Sequence, residues 1–122
     1  MLAGVMATDA TPDTPRETQP ETPPGARAAS RATVFVRGHV QGVGFRWWTR
    51  ARALELGLVG HARNTDDGRV EVVAQGSPEA IESLVELLRE EPSTTRRPGR
   101  VTAVSAPLVS QPRPDVSGFV ER

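Results

Sequence analysis

Between Thr33 and Leu56 the apolar period changes from two residues to 3.6. The change falls across Gly38-His39-Val40-Gln41-Gly42-Val43-Gly44, a stretch punctuated by glycine. Val34 and Val36 alternate with other residues, as on a strand with one face buried. Phe45, Trp48, Thr49, Ala53 and Leu56 then recur at helical spacing, and Gly57 fits the position that closes a helix. The spacing predicts a strand over 33–37, a glycine loop, and a helix over 45–56. A chain that turns from strand to helix this abruptly needs positive φ, which glycine adopts without steric cost.

The alternation then repeats. Residues 58–64 read as a second strand and Asp66-Asp67-Gly68 as a hairpin turn. Residues 69–75 read as a third strand with Val70, Val72 and Ala74 on one side. Ser77 suits an N-cap and Pro78 the first helical position. Ile81, Leu84, Val85 and Leu88 form one apolar stripe, with Glu79 and Glu82 near its start, Arg89 near its end and Pro92 beyond. Residues 93–99 read as a loop in which Arg96 and Arg97, with Arg100 after them, are solvated. A fourth strand is expected over 100–106 and a short last one over 118–121. Two strand–helix–strand units joined by a hairpin predict an α+β fold, a ferredoxin-like βαββαβ sandwich. Its antiparallel sheet carries two helices on one face and leaves the other face open.

The first 32 residues differ from the rest. Pro12, Pro15, Pro20, Pro23 and Pro24 are spaced by Thr, Ala, Asp and Glu, with no aromatic residue. Such a stretch buries too little apolar surface to offset roughly 1–2 kcal/mol per residue of backbone ordering. A disordered N-terminal tail is expected over 1–32 and one folded domain over 33–122. No stretch resembles a secretory signal or approaches the ~20 apolar residues of a bilayer span, so a cytoplasmic setting is expected.

Composition narrows the chemistry. There is no Cys and no Tyr, and every one of the 15 basic residues is Arg. A phosphate-loop lysine, a Schiff base, a thiol nucleophile, a thiolate metal site and a phenolic acid are thereby excluded. The net charge of zero gives no overall field toward nucleic acid or an anionic membrane. His39 and His61 are the only imidazoles. His39 sits at a variable place in the loop, and His61 is expected to face solvent or pack on the sheet. The turn itself accounts for Asp66 and Asp67, so they are not read as an acid–base pair. Trp47 and Trp48 are adjacent and cannot share a helix face, so one is expected in the core and the other at the rim.

What remains is the loop. Backbone amides that curl before a helix form a concave nest, and the helix start adds unpaired N–H groups and about half a positive charge. Arg46 in the first turn brings a planar fork of donors suited to a tetrahedral oxyanion. A dinucleotide fingerprint would need a third glycine where Trp47 stands, and a cysteine phosphatase cradle would need a Cys. The local reading is a phosphate site.

Val40-Gln41-Gly42-Val43-Gly44-Phe45-Arg46 resembles the signature of the acylphosphatase family. Gly57-Leu58-Val59-Gly60, Arg63-Asn64 and Asp67-Gly68-Arg69-Val70-Glu71 follow in that family's order and spacing. The resemblance spans about residues 33–122. It implies a ferredoxin-like enzyme that hydrolyses the carboxyl–phosphate bond of small acyl phosphates without metal or cofactor. By position, Arg46 is similar to the family's phosphate-binding arginine and Asn64 to the asparagine that orients the attacking water. The amides of Gln41, Gly42, Val43, Gly44, Phe45 and Arg46 would form the cradle. His61 departs from the large aromatic that many members carry there. The expected partner is a small acyl phosphate, with no nucleic acid, no membrane and a monomeric chain. An acyl phosphate suits this inventory of side chains. Its leaving group is a carboxylate whose acid has a pKa of about 4, and it departs without a general acid.

Overall fold

The structure is a computed structural model that describes residues 28–122; the tail expected over 1–32 therefore lies almost wholly outside the described residues. In chain order the elements are β1 (Ser30–His39), α1 (Phe45–Glu55), β2 (Val59–Asn64), β3 (Val70–Gly76), α2 (Pro78–Arg89), β4 (Arg100–Val104), β5 (Leu108–Ser110) and β6 (Phe119–Glu121). The path across the sheet is β4-β1-β3-β2-β6, and β5 pairs with β1 next to β4. All pairs are antiparallel except β2–β6, which is parallel and sets Gly60, His61 and Ala62 beside Phe119, Val120 and Glu121. The sheet is thus mixed rather than antiparallel throughout, because the last strand returns along the outer edge in the direction of β2.

Strand parity builds the core. Ala32, Val34 and Val36 of β1 pair with Ala74, Val72 and Val70 of β3, and all six are buried on one face. Ile81, Leu84, Val85 and Leu88 of α2 join the same cluster, as do Phe45, Trp48 and Ala53 of α1. Burying each of the larger side chains removes it from water at a gain of about 1.5–3 kcal/mol. The expected stripe of α1 holds, and the tryptophan pair splits. Trp48 is buried, whereas Trp47 is 63% exposed.

Boundaries and the reverse face differ from expectation. β1 begins at Ser30, three residues before the sequence suggested. β4 stops at Val104, and β5 forms where no strand was expected. Leu108 and Val109 of β5 are exposed, so this strand rests on ladder bonds to β1 and not on a buried side-chain face. The face turned from the helices is not bare. Val73 is 5% exposed there. The segment between β5 and β6 is held to it by two hydrogen bonds. Gln75 Nε2 donates to Arg113 O, and Gln75 Oε1 accepts from Arg113 N, each at 2.9 Å. No described helix is long and apolar enough to cross a membrane.

Candidate active site

The two helices start in opposite ways. At α2, Ser77 caps the first turn by accepting from Ala80 N at 3.1 Å, Pro78 occupies the first position, and Glu79 lies near the positive end of the dipole. At α1 the N-cap is Gly44 in the left-handed region at φ 89, with no side-chain cap and no acidic residue in the first turn. The first helical bond runs from Trp48 N to Gly44 O at 3.0 Å. The amides ahead of it are outside the helical ladder, as at any helix start, but here no side chain of the cap answers them. The only charged group of that turn is Arg46, which adds to the positive end instead of opposing it.

The loop before α1 is fixed from two sides. Gln41 Nε2 donates to Thr65 O at 2.9 Å and to Arg69 O at 2.8 Å, so the side chain of the loop's first polar residue is tied to the β2–β3 hairpin. The hairpin closes on itself through Thr65 N to Arg69 O at 2.9 Å. Asp67 accepts from Thr65 Oγ1 and from Arg69. Those bonds hold its carboxyl below the usual carboxylate range, the Thr65 bond first. Both Asp66 and Asp67 thus belong to the turn, as expected. On the other side, Val40 is buried, and Gly99 lies so close that a Cβ there would sit 2.1 Å from His39 O.

Behind α1, the segment after α2 is braced rather than loose. Trp48 Nε1 donates to Thr95 O at 3.0 Å, and Ser93 Oγ accepts from Thr95 N and Arg97 N, each at 3.1 Å. Arg97 was expected to be solvated. Its side chain is 4% exposed, and its Nη1 donates to Leu87 O and Leu88 O, each at 3.0 Å. It closes the C-terminal end of α2, where carbonyls lack helical partners and a cation is favoured. Nothing in the order Arg96-Arg97 distinguishes the buried guanidinium from its neighbour, so spacing alone did not reveal it.

Arg46 and Asn64 lie on the same face of the sheet. Asn64 ends β2 with the parity of Gly60 and Ala62, whose positions turn toward the helices. Arg46 Nη1 donates to Arg122 O, and Arg122 N donates to Ala62 O at 2.8 Å. Two bonds thus lead from the guanidinium to the strand that ends in Asn64. The Oδ1 of Asn64 is enclosed and has no hydrogen-bond partner among the described residues. A buried acceptor left this way costs about 1–3 kcal/mol, so it marks a place where an incoming donor would be favoured. Arg50 Nε also donates to Phe119 O at 3.0 Å, so two arginines of α1 hold β6. His39 is exposed at the end of β1, and no group of three or more His, Cys, Asp or Glu among the described residues is placed to hold a metal.

Sequence and structure comparisons agree on what this arrangement resembles. The profile of the family described as Acylphosphatase matches residues 32–120. The acylphosphatase of Mycobacterium avium (strain 104) is 60% identical over 93 residues, covering 76% of this chain and 95% of that protein. That of Thermobifida fusca (strain YX) is also 60% identical, over 92 residues, covering 75% and 96%. The crystal structure of acylphosphatase from Bacillus subtilis superposes with a TM-score of 0.63 at 31% identity, covering 76% of this chain and 98% of that one.

Proposed function

The chain belongs to the acylphosphatase family, and from that premise we propose that it hydrolyses small acyl phosphates at the start of α1, with Arg46 and Asn64 as its catalytic residues. The contrast between the two helix starts carries this reading. One is capped and charge-compensated by its own residues, and the other gathers uncompensated positive charge where a phosphoryl group would dock. In this reading the amides of residues 41–46 and the Arg46 guanidinium bind the three phosphoryl oxygens. Asn64 lies across from them and supplies an acceptor for a water O–H.

The chemistry follows from those positions. The water oxygen forms a bond to phosphorus as the bond from phosphorus to the acyl oxygen breaks, and that electron pair leaves on the carboxylate. One proton of the water stays on the attacking oxygen and the other passes to a phosphoryl oxygen, so an acyl phosphate dianion and water give a carboxylate and dihydrogen phosphate. No side-chain acid is required, because the carboxylate is a stable leaving group. The protein contributes positioning and charge stabilisation, which together account for several kcal/mol of barrier reduction. The same reading takes the substrate as a small soluble molecule met in the cytoplasm by a monomer, with neither metal nor cofactor.

Benzoyl phosphate hydrolysis, followed with a chelator present, tests it. Asn64→Ala is expected to lower kcat by about 10²–10³ with little change in KM, the size of effect seen when one oriented hydrogen-bonding group is lost. Arg46→Ala is expected to lower kcat and also to weaken inhibition by inorganic phosphate. Arg46→Lys should not restore activity, since an ammonium cannot reproduce the fork. Turnover by Asn64→Ala equal to that of the unaltered chain would remove Asn64 from the mechanism.

A further inference from the structure

The sheet face turned away from α1 and α2 carries a second concentration of positive charge around a cavity of about 330 Å³. Arg31 of β1, Arg113 of the segment before β6, and Arg122 just after β6 line it, and Asp115 is the one acidic side chain among the lining residues. Arg31 Nη1 donates to Gln75 Oε1 at 3.1 Å. Among the described residues, none of these three arginines is in an ion pair. His61 lies in the same lining with its side chain largely covered, bound toward Glu71 at 3.5 Å. Burial lowers its pKa first, and the charges of Arg122 and Arg31 lower it further, so both guanidinia act on one place. Val116 and Val120 supply an apolar wall.

We propose that this cavity is a second anion site, separate from the α1 cradle, that binds a small phosphate-bearing molecule. The guanidinia of Arg31, Arg113 and Arg122 would take the phosphoryl oxygens, and the valine wall the organic part. Three guanidinia gathered around one cavity repel one another, and an oxyanion between them relieves that repulsion with charge-assisted hydrogen bonds. The volume is that of a small-molecule site. The site also touches the catalytic side through one residue. Arg122 lines the cavity, and its main-chain oxygen accepts from Arg46 on the far face. A ligand that draws on Arg122 therefore acts on the anchor of Arg46.

The test is a titration of the ¹⁵N-labelled full chain with pyrophosphate, following backbone amides and the Arg46 Nε–H. Two groups of signals are expected to move with different half-saturation, one at Gly42 and Gly44, the other at His61, Ser117 and Val120. The Arg46 Nε–H should respond to both. Arg113→Ala is expected to raise the half-saturation of the second group about tenfold, the loss of one charge-assisted contact, and to leave the first unchanged. Arg46→Ala should abolish only the first group. Movement of the cradle signals alone would overturn the proposal, as would a second group that Arg113→Ala leaves in place or that Arg46→Ala abolishes. Citrate binding to the second group as tightly as pyrophosphate would show a site for charge alone and overturn the phosphate assignment. Loss of the first group with the second intact would instead count against the cradle and leave this site standing.

Discussion

On the reverse face Glu71 accepts from Arg63 Nε at 3.0 Å and lies 3.5 Å from His61 Nε2. Burial pushes its carboxyl up, but the Arg63 bond and charge, with His61 behind them, outweigh burial and leave it below the ordinary glutamate value. His61 is displaced below 6.5, chiefly by burial, against the upward pull of Glu71. The two shifts act in different pH windows. A histidine whose folded pKa is depressed takes up its proton less readily folded than unfolded. Its contribution is full above about pH 6.5 and is lost as pH falls toward the folded value. The Glu71 contribution is full above about pH 4.5 and is lost in stronger acid. The melting temperature of the unaltered chain is therefore expected to fall between about pH 7 and 5, and that of His61→Gln to fall less over the same interval. Equal slopes for the two proteins would show that His61 is not the titrating group. At this scale the sequence was partly legible. It indicated that His61 belonged to a strand, but the pKa is lowered first by burial and then by the charges of Arg122 and Arg31, and the residues responsible are far away in sequence and meet His61 only through strand register.

The elements repeat that division between local and distant information. α2 was readable in full, because Ser77, Pro78, Glu79 and the apolar stripe are signals that act within one helix. The hairpin was readable for the same reason, since Asp67-Gly68 needs only its own neighbours. β5 was not, because Leu108 and Val109 are exposed and the strand is defined by bonds to Arg31, Ala32 and Thr33. Nor was the role of Gln41, which the sequence offered only as a backbone donor. Its side chain joins the cradle to the hairpin through two carbonyls, Thr65 and Arg69, that no local pattern marks. Arg97 is the instructive miss. A guanidinium in a run of Ser, Thr, Arg and Pro reads as solvated until the end of α2 is seen beside it. Replacing it removes two charged hydrogen bonds to Leu87 O and Leu88 O and leaves those carbonyls unanswered. Arg97→Ala is expected to cost about 2–3 kcal/mol, a fall in Tm of roughly 8–24 °C for a domain of this size. Arg96→Ala, its exposed neighbour, should change Tm by no more than about 2–4 °C, the ±0.5 kcal/mol of an ordinary surface substitution. Thermal unfolding of the two variants side by side decides it, and equal losses would mean that Arg97 does not close α2.

At the scale of the molecule, β6 is where stability and the site meet. It is three residues long and lies at the sheet edge, parallel to β2. Its attachment rests on Phe119, which is 2% exposed in the core, and on the arginines of α1, with Arg50 on Phe119 O and Arg46 on Arg122 O. The helix that starts at the cradle is thereby strapped to the strand next to the one that ends in Asn64. Truncating Phe119 to Ala should cost about 3–5 kcal/mol, a large share of the roughly 5–15 kcal/mol available to a domain of about 100 residues. The kinetic consequence is separable from the loss of stability. Where the variant is still folded, loosening β6 moves the Arg122 oxygen that orients Arg46, so phosphate binding should weaken. The expected signature, read at low temperature from urea unfolding and from benzoyl phosphate kinetics on the same preparation, is a raised KM and weaker inhibition by inorganic phosphate. Phe119→Leu, which refills most of the volume, should recover most of the stability and most of the KM. If Phe119→Ala lost stability as expected while KM and phosphate inhibition stayed at their original values, the orientation of Arg46 would have to come from α1 alone, and β6 would be a structural strap with no bearing on the chemistry.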